Sequence, residues 1–213
     1  MYMPKETGGD FAPAPAGTHV AICIQVIDLG TQETNYEGNI DHKRQVRIGW
    51  ELPTERMSDG RPFTIGKTYT FSSHKKAALR THLESWRGQA FKDGDFGPGG
   101  FDIKNILGKP CLLNIIQKEG ARGLYASVTG VSKMPKGMEV PEATNGQIYL
   151  NLDKYDAHTY AVLPDFWKEA IAKSPEYQTA TGVAKPTGAP GQPSGLKSAI
   201  TGDLDDDIPF GPW

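Results

Sequence analysis

At 213 residues the chain has room for one sizeable core, or one core with a substantial appendage. Its 23 Lys and Arg against 25 Asp and Glu leave a net charge of −2, so bulk charge argues neither for nor against a polyanionic partner. No stretch approaches the roughly 18 uninterrupted apolar residues of a membrane span, and neither a secretory leader nor a zinc or disulfide framework is legible around Cys23 and Cys111. The expectation is a protein of a reducing cytoplasm with two buried thiols.

Three compositional regions follow one another. Residues 1–17 are rich in Gly, Pro and Ala and read as a flexible arm. Residues 18–177 hold nearly all the aromatic and aliphatic side chains, and residues 178–202 run in Gly, Pro, Ser, Thr and Ala. That last composition cannot bury enough apolar surface to offset ordering entropy, so it predicts a disordered linker. Residues 203–213 form an acidic tip.

Within the body the period is mostly two. Residues 18–30 alternate, placing Val20, Ile22, Ile24 and Val26 on one face of a half-buried strand. The polar stretch 31–41 suits a long connecting loop. Residues 42–52 alternate again, with Val46, Ile48, Trp50 and Leu52 inward and Gln45, Arg47 and Gly49 outward. A third strand is expected over 61–73, with Tyr69 and Phe71 sharing a face. The period then changes: Leu79, His82, Leu83 and Trp86 make a helical stripe closed by Gly88. Asp102 should cap a short turn that turns Ile103, Ile106 and Leu107 inward. Residues 109–119 and 123–135 read as a strand pair, 147–152 as a short strand, and 164–174 as a helix offering Phe166, Trp167, Ala170 and Ile171 for packing.

Five strands, a helix after the third and a closing hairpin outline an OB-fold barrel, mainly β, with a C-terminal helical extension. Such barrels bind oligonucleotides or oligosaccharides across strands 2 and 3, between the loops joining strands 1–2 and 4–5.

Catalytic patterns are missing. There is no phosphate-binding Gly-rich loop, no HExxH and no GxSxG, and His19, His42, His74, His82 and His158 are scattered. No enzyme activity, metal or cofactor is expected. What remains is basic residues interleaved with aromatics, the chemistry a single strand needs: cations along the phosphates and rings on which bases stack, at about 1–3 kcal/mol per base. The candidates are Tyr36, His42, Lys43, Arg44 and Arg47 on the first hairpin, Lys75 and Lys76 before the first helix, and Lys118, Arg122 and Tyr125 on the last hairpin. Trp50 and Trp86 share faces with aliphatic residues and belong to the core.

The tip carries the sharper signal. Asp203, Asp205, Asp206 and Asp207 stand without any Lys or Arg, leaving the remainder of the chain at +2, and Ile208, Pro209 and Phe210 follow them. The run DLDDDIPF resembles the acidic tip of bacterial single-stranded DNA-binding proteins, in which a flexible linker joins an OB-fold to an Asp-rich end that recruits replication, recombination and repair enzymes. The resemblance implies that Asp205, Asp206 and Asp207 steer toward a basic rim while Ile208, Pro209 and Phe210 seat in an apolar hollow. One departure stands out. In that family the phenylalanine is terminal, whereas here Gly211, Pro212 and Trp213 follow. Either the motif is read internally, or Trp213 with its carboxylate replaces Phe210, or the three residues are not native to the chain.

The body departs from the bacterial domain. The runs PFTIGKTYTFSSHKKAALRTHLESWRG and FDIKNILGKPCLLNII resemble instead a bacteriophage family of OB-fold single-stranded DNA-binding proteins, in which the segment ending near SPEY packs beside the barrel. That resemblance spans most of residues 15–177. It implies sequence-nonspecific coating of single-stranded DNA during phage replication or recombination in the host cytoplasm, and leaves assembly into a homo-oligomer open. Two rivals stand beside it: an OB-like recombination accessory that binds proteins only, and a single-strand nuclease, which would require clustered carboxylates.

Overall fold

The computed structural model describes residues 12–36, 39–121 and 123–182. Five antiparallel strands, β1 (Gly17–Tyr36), β2 (Asn39–Arg56), β3 (Pro62–Thr70), β4 (Pro110–Gly120) and β5 (Gly123–Ser132), form a sheet in the order β3-β2-β1-β4-β5. A sixth, β6 (Ile148–Leu150), pairs with β1 in parallel. Helix α1 (Ala78–Arg87) lies between β3 and β4 in the chain, and α2 (Ala157–Ala161), α3 (Asp165–Ala172) and α4 (Pro175–Thr181) form a C-terminal extension. Among the described residues no helix is long and apolar enough to cross a membrane.

The alternation in β2 sets the main core. Val46, Ile48, Trp50 and Leu52 are all 3% exposed or less and meet Leu113 and Ile115 of β4 and Val128 of β5. Helix α1 lies against β3 and β5, burying Leu79, Leu83 and Trp86. The indole of Trp86 donates to the Pro110 carbonyl at 2.8 Å. Gly88 ends the helix as expected, at φ 69°, where its N–H reaches the Glu84 and Ser85 carbonyls. Asp102 caps its turn through the Lys104 N–H, with Ile106 buried beneath.

In β1 the expected phase does not hold. Register shifts at Cys23/Gln25 and Asp28/Gly30 change which side chains face inward. Ala21, Cys23 and Val26 join the main core, while Ile27 and Leu29 face the opposite way into a second one. That second core is completed by Leu150 of β6, Leu152 in the turn after it, Leu163, and Trp167 and Ile171 of α3, the residues that tie the extension to the sheet. At about 1.5–3 kcal/mol for each fully buried aliphatic or aromatic side chain, five such residues hold the extension down by roughly 10 kcal/mol. Polar clamps fix its end. Glu176 accepts from the Thr31 N–H at 2.8 Å and the Thr31 hydroxyl at 2.6 Å. Gly30, at φ +70°, leaves room for buried Ser174, with which any Cβ there would overlap.

Three other boundaries move. The expected loop over 31–41 is a β-ribbon, because β1 and β2 keep pairing from Thr31↔Arg44 to Tyr36↔Asn39. Its side chains are polar on both faces, and backbone pairing leaves no alternation to read. Ala14 is buried and its carbonyl accepts from Gln117, so residues 12–17 pack on the body rather than forming a free arm. Helix α4 continues to Thr181, past the expected boundary at 177. The remainder of the linker and the tip lie outside the described residues.

Replacing fully buried Ile171 with Ala should cost about 2–4 kcal/mol in urea unfolding. Phe166→Ala, in the same helix but 43% exposed, should cost about 1 kcal/mol or less, even though its ring touches Trp167. Equal effects would mean that the extension is not anchored by this core.

Candidate nucleic-acid interface

The face of β2 opposite the core was the expected ligand surface, and the extension covers it. Its cross-strand pairs with β3 are Gln45↔Thr70, Arg47↔Thr68, Gly49↔Gly66 and Glu51↔Thr64. Gln45, Arg47 and Glu51 are all buried. The Arg47 guanidinium lies 4.5 Å from the Trp167 ring centroid and reaches the Thr68 hydroxyl at 3.4 Å. Burial presses its pKa down to about 9, still above neutrality, so the group remains a cation. Gly66 makes space for it, since a Cβ there would strike the guanidinium. Farther along, the Glu51 carboxylate accepts the Thr144 and Asn145 N–H groups and the Asn145 side-chain amide, each at 2.7 Å. Arg47 is therefore a packing residue rather than a ligand contact: one strand face cannot be both solvated and roofed by α3.

Arg44 is likewise committed. It forks onto Asp28, with Nε 3.2 Å from Oδ1, and also reaches Asp153 at 3.0 Å. The Asp28 carboxylate raises its already high pKa further. This pair ties the bend in β1 to the 3-10 turn Leu152–Lys154, leaving little of the guanidinium for a phosphate. On the ribbon, His42 stands 3.9 Å from Glu33, and Lys43 3.0 Å from Asp41. Acids alternate with bases along the ribbon, so it is no continuous cationic stripe, although each of these pairs is solvent-exposed and weak. The backbone of Tyr36 ends β1, while its side chain lies outside the description, as does Arg122. On the β4–β5 hairpin Lys118 pairs across the strands with Tyr125. The Tyr125 ring packs over Gly120, where a Cβ would come within 2.9 Å of it.

Two of the expected cations do converge. Lys43 and Lys76 line one cleft of about 280 Å³ with Thr68, Tyr69, Thr70, Ser72, His74, Ala77 and Ala78. The path that brings them together is local. The Phe71 N–H bonds the Arg44 carbonyl at 2.7 Å, carrying β3 one residue further along β2. The chain then turns through Ser72, whose hydroxyl accepts the His74 N–H, and through His74, whose Nδ1 accepts the Lys76 N–H. Helix α1 starts at Ala78 with no side-chain cap, so its first N–H groups lack an intrahelical acceptor beside this wall. Lys75 is exposed on the same turn. The cleft wall offers ammonium groups, hydroxyls and an imidazole, and no carboxylate, which suits an oxyanion such as a phosphodiester.

Phe71 is a further residue whose place differs from the sequence expectation. Alternation put it with Tyr69, which is 2% exposed, yet Phe71 is 49% exposed because β3 ends at Thr70 and the core ends with it. The available signal was its position, directly before the polar, basic run SSHKK.

The two cysteines do not line this cleft. Cys23 and Cys111 are buried free thiols whose pKa burial pushes up. His82 is held low by burial and takes a 2.8 Å hydrogen bond with the Tyr69 hydroxyl. Among the described residues no three His, Cys, Asp or Glu side chains gather as a metal site.

Arg44→Met should lower stability in urea unfolding by about 1.5–3 kcal/mol by stripping the charged hydrogen bonds from Asp28, and should leave any affinity of the folded chain for a single-stranded oligonucleotide within twofold. A loss of more than tenfold, with stability unchanged, would return Arg44 to the ligand side.

No protein-family model and no curated protein sequence matches the chain.

Proposed function

We propose that the chain is a sequence-nonspecific single-stranded DNA-binding protein built on an OB-fold barrel. The observation that carries this reading is the cleft, which brings Lys43 and Lys76 together in a lining that holds no carboxylate, the exposed Asp41 that pairs with Lys43 lying outside it. The strand order β3-β2-β1-β4-β5, with a helix between the third and fourth strands, fits the barrel. So does the approach of β3 to β5, where the Lys67 ammonium donates to the Val128 carbonyl at 3.1 Å. The phage-family resemblance of residues 15–177 and the bacterial-type tip agree with it. On this reading the cleft holds the phosphate backbone and carries no sequence information, since every nucleotide presents the same phosphate. Coating of exposed strands in replication or recombination is then joined to partner recruitment through Asp205–Asp207, Ile208, Pro209, Phe210 and Trp213.

A salt titration of binding to oligo-dT and to duplex DNA of equal length tests the reading. Affinity for the single strand should fall with salt at a log–log slope of about −0.7 for each phosphate neutralised, and should exceed that for duplex at least tenfold. Equal affinity for both forms, or no salt dependence, would overturn it.

A further inference from the structure

We propose that a single strand is gripped at the corner between β3 and α1, where Phe71 stacks on one base while Lys43, Lys76 and the Ser72 hydroxyl hold an adjacent phosphate. The inference rests on the single-strand-binding reading and gives that reading a location away from the sheet face.

Exclusion comes first. The outer face of β1 and β2 is roofed by residues buried in the second core, and its cation, Arg47, is stacked under Trp167. A ligand would have to bind the open form many orders of magnitude more tightly to displace that roof. The strand must pass elsewhere.

The exposed rings then discriminate. Phe71 and Phe166 are the described aromatic residues whose large apolar side chains stand well out in solvent. Phe166 is flanked by Asp165, Glu169 lies on the same helix, and the neighbouring Lys168 is paired to Asp165 at 3.3 Å. A phosphodiester is repelled there. Phe71 sits between Thr70 and Ser72, both of which line the basic cleft, and Lys75 and Lys76 follow within five residues. Lys76 makes no ion pair among the described residues, and the Lys43–Asp41 contact is a solvent-exposed pair of small worth. At about 280 Å³ the cleft lies just below the size of small-molecule pockets and has room for a phosphate and its sugar. Phe71 is not part of the cleft lining, and its exposed ring, between two residues that are, offers a base a surface beside it.

This grip selects single strands without selecting sequence. Every base has a face to stack on a ring, and in a duplex those faces are already occupied.

The test uses the full chain and fluorescein-labelled oligo-dT, with anisotropy as readout and circular dichroism to confirm folding. Phe71→Ala should weaken binding about 5- to 150-fold, with an unchanged salt slope. Phe71→Trp should restore affinity, and Phe166→Ala should leave it as in the wild type. The double variant Lys43→Gln/Lys76→Gln should flatten the log–log slope by about 0.7, for the one phosphate the two lysines hold. An abasic oligonucleotide, which keeps its phosphates, should bind Phe71→Ala and the wild type equally. If the wild type binds no oligo-dT, the single-strand-binding reading itself fails. If the wild type binds and both the Phe71→Ala and the double-lysine variants match it, the reading survives and this grip is overturned.

Discussion

Trp167 lies against the Arg47 guanidinium, and that contact marks the seam along which residues 144–182 close over the outer face of β1 and β2. Because the seam is closed, β1 is a strand buried on both sides, which is unusual in an antiparallel sheet. The bulges at Cys23/Gln25 and Asp28/Gly30 follow from this demand, since a strictly alternating strand could not supply both cores with the side chains that fill them. The glycines at 49 and 66 follow as well. They stand opposite each other across β2 and β3, and they leave the depth that Gln25 and Arg47 need to lie flat beneath the roof.

Closure also sorts the charges into two classes. Arg44, Arg47 and Glu51 are turned toward the extension and engaged by Asp28 and Asp153, by Thr68 and Trp167, and by backbone N–H groups at 144 and 145. Removing one member would leave a partner desolvated, so these residues act on stability first. Lys43, Lys75 and Lys76 lie beyond the edge of the roof and remain hydrated. Only charges of this second kind can exchange water and counterions for phosphate at little expense. Proximity in sequence gives no hint of the division: Arg44 and Lys43 are neighbours, and the pleat points them to opposite faces of the ribbon.

This explains which parts of the fold were legible. Val46, Ile48, Trp50 and Leu52 followed period two because β2 has one apolar face in the main core, and α1 followed its helical stripe for the same reason. The packing residues Trp167 and Ile171 could be recognised as apolar, but not what they would cover, since that depends on a return of the chain across more than a hundred residues. Arg47 was misread for the same cause: an outward-pointing arginine on an exposed strand and one under a tryptophan look identical in sequence. The loop expected over 31–41 is instead paired as a ribbon, because the pairing lies in the backbone and the sequence there carries no apolar alternation. In the cleft, Lys43 and Lys76 were each legible as basic residues near aromatics. Their meeting was not, because it requires the β2–β3 register and the turn after Phe71.

A small grip has consequences for how such a protein could work. One stacked base contributes about 1–3 kcal/mol, and two screened ammonium contacts on the surface add only a little more. A total near 4 kcal/mol corresponds to a dissociation constant of about 1 mM, far too weak for an isolated contact to protect a strand. The sealed sheet face cannot make up the difference, because opening it would forfeit the second core. Tight coating on the proposed grip must therefore come from repetition. Either further contacts along the same protomer, such as the β4–β5 hairpin bearing Lys118, engage the strand, or neighbouring protomers do so in series. In both cases the later contacts are made at high effective concentration once the first has formed. Weak, repeated contacts also suit a coat that must be stripped again when a partner arrives, because each can open separately while the others hold the strand.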